Sequence, residues 1–254
     1  MRVAMIQMDM QLGKPEANFE KAEKLVRMAA ELKPDVITLP ETWNTGFFPR
    51  ENLKEASDVD LEQTKKLFSR LAKEYRVNII AGSVANCRDE KIYNTASVFN
   101  RDGEVVMEYD KVHLFSPSGE HEYFEHGKNI CNFELDGIPC SLVICYDIRF
   151  PELIRSEMLA GSKVQFVVAQ WPDTRLLHWD TLNRARAIES QSFLCCTNSV
   201  GTAGNTKYGP MGECLVLGGE AEQILMADME IGAVDGVRDS INVYRDRLPE
   251  VYKI

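Results

Sequence analysis

The chain lacks the features that would commit it to several large classes of protein. No segment approaches the roughly 20 apolar residues that a membrane-crossing helix needs. There is no run of Lys and Arg, and basic residues do not alternate with aromatic ones. With 29 basic against 39 acidic residues the formal net charge is −10, which argues against nucleic acid or an anionic membrane as the main partner. The four histidines do not suggest a metal site. His121 and His126 are five apart, which is not H-E-x-x-H, and His113 and His178 stand alone. Neither G-x-G-x-x-G nor G-x-x-x-x-G-K-S/T occurs, so no nucleotide cofactor is indicated. No C-x-x-C pair occurs among the seven cysteines, Cys87, Cys131, Cys140, Cys145, Cys195, Cys196 and Cys214. An odd count without such a pair suits a reduced chain better than a disulfide framework or a thiol oxidoreductase. The apolar run at the start, Met1–Asp9, is too short for a signal peptide, and a cytoplasmic location is the default expectation.

A domain linker is also missing. The chain has 254 residues, enough for one large domain or two small ones, and no Pro-, Gly- or Ser-rich stretch divides it. One domain over 1–254 is expected. Arg2–Gln7 and Asp35–Leu39 read as strands. Glu16–Leu32 reads as an amphipathic helix, with Phe19, Ala22, Val26, Ala29 and Leu32 at helical spacing. A second helix over Asp60–Tyr75 and a strand over Val77–Ser83 follow. Ile92–Asn100 and Glu104–Leu114 then flank Asp102-Gly103, a strong hairpin signal. The second half repeats the rhythm: strand Ser141–Ile144, helix Pro151–Leu159, strand Val164–Ala169, helix His178–Gln191 and strand Phe193–Val200. A second hairpin is expected between Glu213–Leu217 and Gln223–Asp228, around Gly218-Gly219. Two such halves can stack two mixed sheets with helices outside, so the expected fold class is α/β, a four-layer α-β-β-α sandwich. The polar and aromatic stretches 116–128 and 171–177 lie beside strand ends, where sites form.

The densest chemistry is in Ser141-Leu-Val-Ile-Cys145-Tyr-Asp147-Ile-Arg149-Phe-Pro151-Glu152. An apolar run ends in a cysteine, and a helix-starting Pro-Glu follows. A thiol at a strand tip facing a helix N-terminus is expected to be acidic, because the helix end presents unpaired N–H groups. Taken alone, Cys145 is better read as a small core hydrophobe. Glu41 and Lys111 hold the same kind of position, each following an apolar or alternating strand. Taken alone, Glu41 reads as an exposed carboxylate and Lys111 as a solvated strand end. Asp147 and Arg149 read as structural partners or subunit contacts, and Trp171 and Trp179 as core or pocket wall.

Three blocks together say more. Pro40-Glu41, Tyr109-Asp-Lys111-Val-His113-Leu-Phe115 and Cys145-Tyr-Asp-Ile-Arg-Phe-Pro-Glu152 resemble the signature blocks of the nitrilase, or carbon–nitrogen hydrolase, superfamily, in order and with its spacing over nearly the whole chain. The resemblance implies an α-β-β-α sandwich that pairs into homodimers or higher oligomers, and a Glu41-Lys111-Cys145 catalytic triad. It also implies a supporting glutamate after the lysine block. That position falls on Glu120, with Glu122 and Glu125 as close alternatives. The residue types suit the chemistry. An amide is a poor electrophile, so the thiol must lose its proton as it attacks, and Glu41 can serve as the base. Lys111 and the backbone N–H of Tyr146 are the candidates to stabilise the oxyanion.

The block Ala169-Gln-Trp171-Pro-Asp-Thr-Arg175-Leu-Leu-His178-Trp179, continuing to Glu189, resembles the bacterial omega-amidase branch. Its members act on omega-amides of 2-oxo dicarboxylic acids such as 2-oxoglutaramate and 2-oxosuccinamate. A substrate carboxylate would suit a guanidinium, and Arg175 is either that group or a surface residue. Phe115, Phe124, Tyr146 and Trp171 are the expected wall around a short aliphatic substrate. The alternatives are an N-carbamoyl or aliphatic amide hydrolase, a nitrilase proper, or a family member that binds without catalysis.

Overall fold

The structure, a computed structural model, describes residues 1–203, 206–208 and 218–252. Its first half runs β1 (Arg2–Gln7), α1 (Pro15–Ala30), β2 (Val36–Thr38), α2 (Leu53–Ala56), β3 (Asp58–Val59), α3 (Glu62–Tyr75), β4 (Asn78–Arg88), β5 (Lys91–Phe99) and β6 (Val105–Asp110). The second half runs β7 (Asn132–Leu135), β8 (Ile138–Ile144), α4 (Pro151–Leu159), β9 (Val164–Ala169), α5 (Leu176–Ser190), β10 (Phe193–Asn198), β11 (Gly201–Ala203), β12 (Thr206–Tyr208), β13 (Gln223–Asp228) and α6 (Gly232–Ser240). Among the described residues one sheet has the order β13-β1-β2-β4-β5-β6, with β3 beside β4, and a second has the order β10-β9-β8-β7.

Alternation along the strands builds the layers. Val3 and Met5 of β1, Val36 of β2 and Ile80 of β4 face the core shared with the second sheet. Their neighbours Ala4, Ile6, Ile37, Ile79 and Ala81 face the opposite way, onto Ala22, Val26 and Ala29 of α1 and Phe68 and Leu71 of α3. Successive side chains of a strand point to opposite faces, so one sheet serves two cores. The last five residues of β8 and all of β9 are buried, as expected for strands covered on both sides. Trp179 of α5 and Leu153, Ile154 and Met158 of α4 close that outer side. The result is the expected α-β-β-α sandwich. The two sheets also touch through the hydroxyls of Thr38 and Thr197, which hydrogen-bond to each other.

Several boundaries differ from the sequence expectation. The first helix stops at Ala30, and Leu32, assigned to its apolar face, is exposed. The strand expected over Val77–Ser83 runs on to Arg88, because it bends at an irregularity in register between Ile80 and Ser83 and then continues pairing with β5. The β7–β8 hairpin and α6 carried no clear sequence signal. Gln223–Asp228 is a strand, but it pairs antiparallel with β1; Glu213–Leu217, expected as its hairpin mate, lies outside the described residues. Among the described residues no helix is long and apolar enough to cross a membrane.

Candidate active site

Glu41 sits just past β2, where the chain crosses the bend in β4. Leu39 N donates to Ile80 O (3.0 Å) and Ser83 N to Pro40 O (3.1 Å). The approach is so close that a Cβ on Gly82 would lie 2.0 Å from Pro40 O. This turns the Glu41 side chain into the interior, where it is fully buried. Its Oε1 accepts from Lys111 Nζ (2.7 Å) and Asn94 Nδ2 (2.9 Å), and its Oε2 accepts from the backbone N of Gln170 (2.8 Å). A buried carboxylate needs such donors, since burial strips it of water.

Lys111 follows β6 and is also buried. Its backbone is held by Gly127, whose N donates to Lys111 O at 2.8 Å and where a Cβ would fall 1.9 Å from Asp110 O. The ammonium reaches Glu41 Oε1, and both oxygens of Glu120 at 3.0 and 2.9 Å. Burial alone would lower its pKa, but Glu120 and then Glu41 lift it well above the ordinary lysine value. Glu120 also accepts from the backbone N of Phe115 (2.6 Å) and from Asn94 Nδ2 (3.2 Å). Of the three glutamates in the loop it alone meets Lys111: Glu122 is exposed, and Glu125 pairs with Lys91 at 3.3 Å. Asn94 and Gln170, which tie Glu41 in place, were not foreseen. Their partners are far away in sequence, so no local pattern marks them.

Cys145 follows β8 directly and lies in the left-handed region, with φ 47°, a conformation that costs a non-glycine residue energy and recurs at functional sites. A short helical turn, Cys145–Arg149, then leads into α4. Asp147 fixes that turn. Its Oδ2 accepts from Ile144 N (3.1 Å) and Tyr109 Oη (2.9 Å), and its Oδ1 from His113 N (2.8 Å). It thereby joins the cysteine turn to the segment that carries Lys111, in keeping with a structural role.

The thiol itself differs from expectation. Burial, and then the negative charge of Glu41, push it well above the ordinary cysteine value, outweighing Lys111. The helix N-terminus that suggested an acidic thiol is overruled by burial and, after it, by the charge of Glu41. Glu41 and Glu120 against Lys111 leave the cluster with one net negative charge, and a thiolate would add a second. Glu41 is the carboxylate that acts most strongly on the thiol, and passing the thiol proton to it leaves the buried charge unchanged.

Cys145 and Lys111 open onto a cavity of about 470 Å³, also lined by Phe115, Tyr146, Trp171 and Arg175. Four of the five expected substrate-binding residues thus meet there. The fifth does not: Phe124 packs with Phe48, Leu53, Ala85 and Leu114 in a separate apolar cluster. It follows a turn that aims Glu120 inward, and four residues later the side chain faces away from the cavity. Phe47, Gln170 and Arg149 also line the cavity. Arg149, expected to be a structural or subunit contact, ends the same short helical turn that Cys145 begins, and both line the cavity.

Residues 2–239 match the carbon-nitrogen hydrolase family model. The chain is 38% identical, over 100% of both chains, to a Staphylococcus aureus protein named hydrolase in agr operon. It is 38% identical, over 98% of both chains, to the 2-oxoglutaramate amidase of Bacillus subtilis (strain 168). Among solved structures it resembles XC1258 from Xanthomonas campestris, a CN-hydrolase superfamily protein with an arsenic adduct in the active site, with a TM-score of 0.88, 27% identity and 97% of each chain covered. A match across almost the whole length, on a fold that brings Glu41, Lys111 and Cys145 to one site, makes this chain a member of the carbon–nitrogen hydrolase family.

Proposed function

We propose that the chain hydrolyses the omega-amide of 2-oxo dicarboxylic acid monoamides, 2-oxoglutaramate and 2-oxosuccinamate, to the acid and ammonia through a thioester on Cys145. One observation carries this: Cys145 and Lys111, backed by Glu41 and Glu120, open onto a small cavity whose lining also holds Arg175. The similarity to the Bacillus subtilis 2-oxoglutaramate amidase supports the choice of amide.

The chemistry follows from the charge balance. As Sγ attacks the amide carbon, its proton passes to Glu41, and the C–S bond forms with no change in net buried charge. The oxyanion is met by Lys111 and the Tyr146 N–H. At rest Lys111 donates to Glu41 and Glu120. Protonation of Glu41 weakens one of these bonds and frees a donor for the oxyanion. One such donor is commonly worth about 3 kcal/mol of barrier. Glu41 then gives the proton to the leaving nitrogen, ammonia departs and the thioester remains. Water loses a proton to Glu41 and attacks the thioester. Collapse releases the acid, and Glu41 returns the proton to sulfur. Glu120 keeps Lys111 charged and aimed throughout.

Ammonia release from a panel of omega-amides, N-carbamoyl compounds, simple aliphatic amides and nitriles tests this, with Cys145→Ala as the blank. Arg175→Ala should raise KM for 2-oxoglutaramate tens- to a hundredfold, about 2–3 kcal/mol for a lost charge-assisted pair, and leave propionamide almost unchanged. Equal losses on both substrates would make Arg175 a support for its loop. Preference of the wild type for N-carbamoyl compounds or neutral amides would overturn the substrate assignment.

The chain is further proposed to act in the cytoplasm as a homodimer or higher oligomer. Leu177 and Ile188 of α5 are 75% and 76% exposed. Eleven residues is close to three helical turns, so they share a stripe, an apolar face suited to a second copy. Sedimentation velocity checks this.

A further inference from the structure

The cavity wall contains a closed chain of contacts between cations and aromatic rings. The Arg175 guanidinium lies 5.0 Å from the Phe115 ring centre, and the Phe115 and Tyr146 rings are 5.0 Å apart. The Arg149 guanidinium lies 5.9 Å from the Tyr146 ring and 4.6 Å from that of Trp171. Trp171 Nε1 closes the circuit by donating to the backbone O of Arg175 at 2.9 Å. Aromatic faces hold a guanidinium in place without neutralising it or occupying its N–H donors.

Neither arginine has a carboxylate partner among the described residues. The Arg149 side chain makes one polar contact there, at 3.4 Å to His178 Nδ1. Partial burial, together with the like charge of Arg175, holds the Arg149 guanidinium below its ordinary value. Asp173 is the one acidic residue in the cavity lining, and Glu41 and Glu120 are already engaged with Lys111. In a chain of net charge −10, the wall away from Lys111 therefore carries two guanidinium groups against the single carboxylate of Asp173, and the two repel each other until an anion lies between them.

We infer that Arg149 is a second anion-binding and specificity-determining residue, which with Arg175 grips the carboxylate and adjacent 2-oxo group at the far end of the substrate. This rests on the amidase assignment above. A carboxylate and its neighbouring ketone offer several acceptor oxygens in one plane, suited to two forked donors. An amino group in place of the ketone brings positive charge against both guanidinium groups. The pair thus selects deaminated omega-amides over glutamine or asparagine.

The test compares kcat and KM of the wild type, Arg149→Gln and Arg149→Lys on 2-oxoglutaramate, glutamine and neutral butyramide. For Arg149→Gln we expect KM for 2-oxoglutaramate to rise about 10- to 100-fold, kcat to change little, and kcat/KM for butyramide to stay within about threefold. The wild-type preference for 2-oxoglutaramate over glutamine should narrow. Arg149→Lys keeps a charge and an aliphatic stem against Trp171 but loses the fork. It should show the same pattern more weakly, and it serves if the glutamine variant does not fold. Equal losses on charged and neutral amides would make Arg149 a support for the wall and overturn the inference, as would no loss on either. A wild type that prefers N-carbamoyl compounds or neutral amides would overturn the amidase assignment itself, a result read without any variant.

Discussion

Glu120→Gln separates electrostatics from geometry in the buried cluster. The substitution is nearly isosteric, yet every neighbour of the carboxylate is a donor: Lys111 Nζ on both oxygens, Phe115 N on Oε2 and Asn94 Nδ2 on Oε1. Whichever way the new amide is turned, its NH₂ group faces an N–H. One partner of a buried ion pair is lost and a donor is left opposing donors, which costs about 3–5 kcal/mol. For a chain of this size that lowers Tm by roughly 10 °C. Lys111 keeps Glu41 but loses the partner that aims it, so kcat should fall about 10²- to 10³-fold, the loss of one oxyanion donor. The thiol should respond in the opposite sense. Glu120 is one of the charges that raise the Cys145 pKa, so removing it should move the pH profile of iodoacetamide alkylation to lower pH. The variant should therefore alkylate faster near neutrality while turning over more slowly. Calorimetry, ammonia release and a pH series of alkylation rates measure the three effects. An alkylation profile that stays in place or moves to higher pH would refute the charge-balance reasoning, even if activity were lost.

Glu41→Gln and Lys111→Met should each lower kcat by several orders of magnitude, and the double variant should lose far less than the product, because the groups act in one step; multiplicative losses in ammonia release would argue against a shared step. Glu157 is buried, and desolvation lifts its carboxyl well above the ordinary glutamate value. The folded state then binds the extra proton, so this group's stabilising contribution is full below the unfolded value near 4.5 and is lost as pH rises toward the folded value. Glu157→Gln should flatten that decline, which denaturant midpoints measured from pH 4 to 8 would register.

The fold was largely legible because its strands are short apolar runs with clear ends, and because the three charged or nucleophilic residues each sit at such an end. What escaped was set by partners distant in sequence. Asn94 Nδ2 and the backbone N of Gln170 hold the Glu41 carboxylate, and Gln170 Nε2 donates to the Glu41 backbone O; an amide residue inside a strand or after one looks the same in sequence whether or not it makes such contacts. Phe124 was misplaced because an aromatic residue near a site has the same composition whether it faces the cavity or the core behind it. The thiol was misjudged because a helix end can be read from Pro151-Glu152, whereas the burial that overrides it, and the charge of Glu41 beside it, exist only once the chain has folded. Arg149 lies in the same motif as Cys145, where its charge reads as a structural or subunit contact until the cavity is seen.

Two glycines with no functional group hold a share of the chemistry. Pro40, just before Glu41, leans on the space at Gly82, and Asp110, just before Lys111, leans on the space at Gly127. The Glu41 carboxylate and the Lys111 ammonium are thus positioned by missing side chains on other parts of the chain. Even a methyl group at either place would force the neighbouring backbone, and the charge it carries, to shift. A survey of inactivating substitutions should therefore show two sites with no chemistry of their own, Gly82 and Gly127, that tolerate no replacement because an empty volume there is what the neighbouring backbone needs.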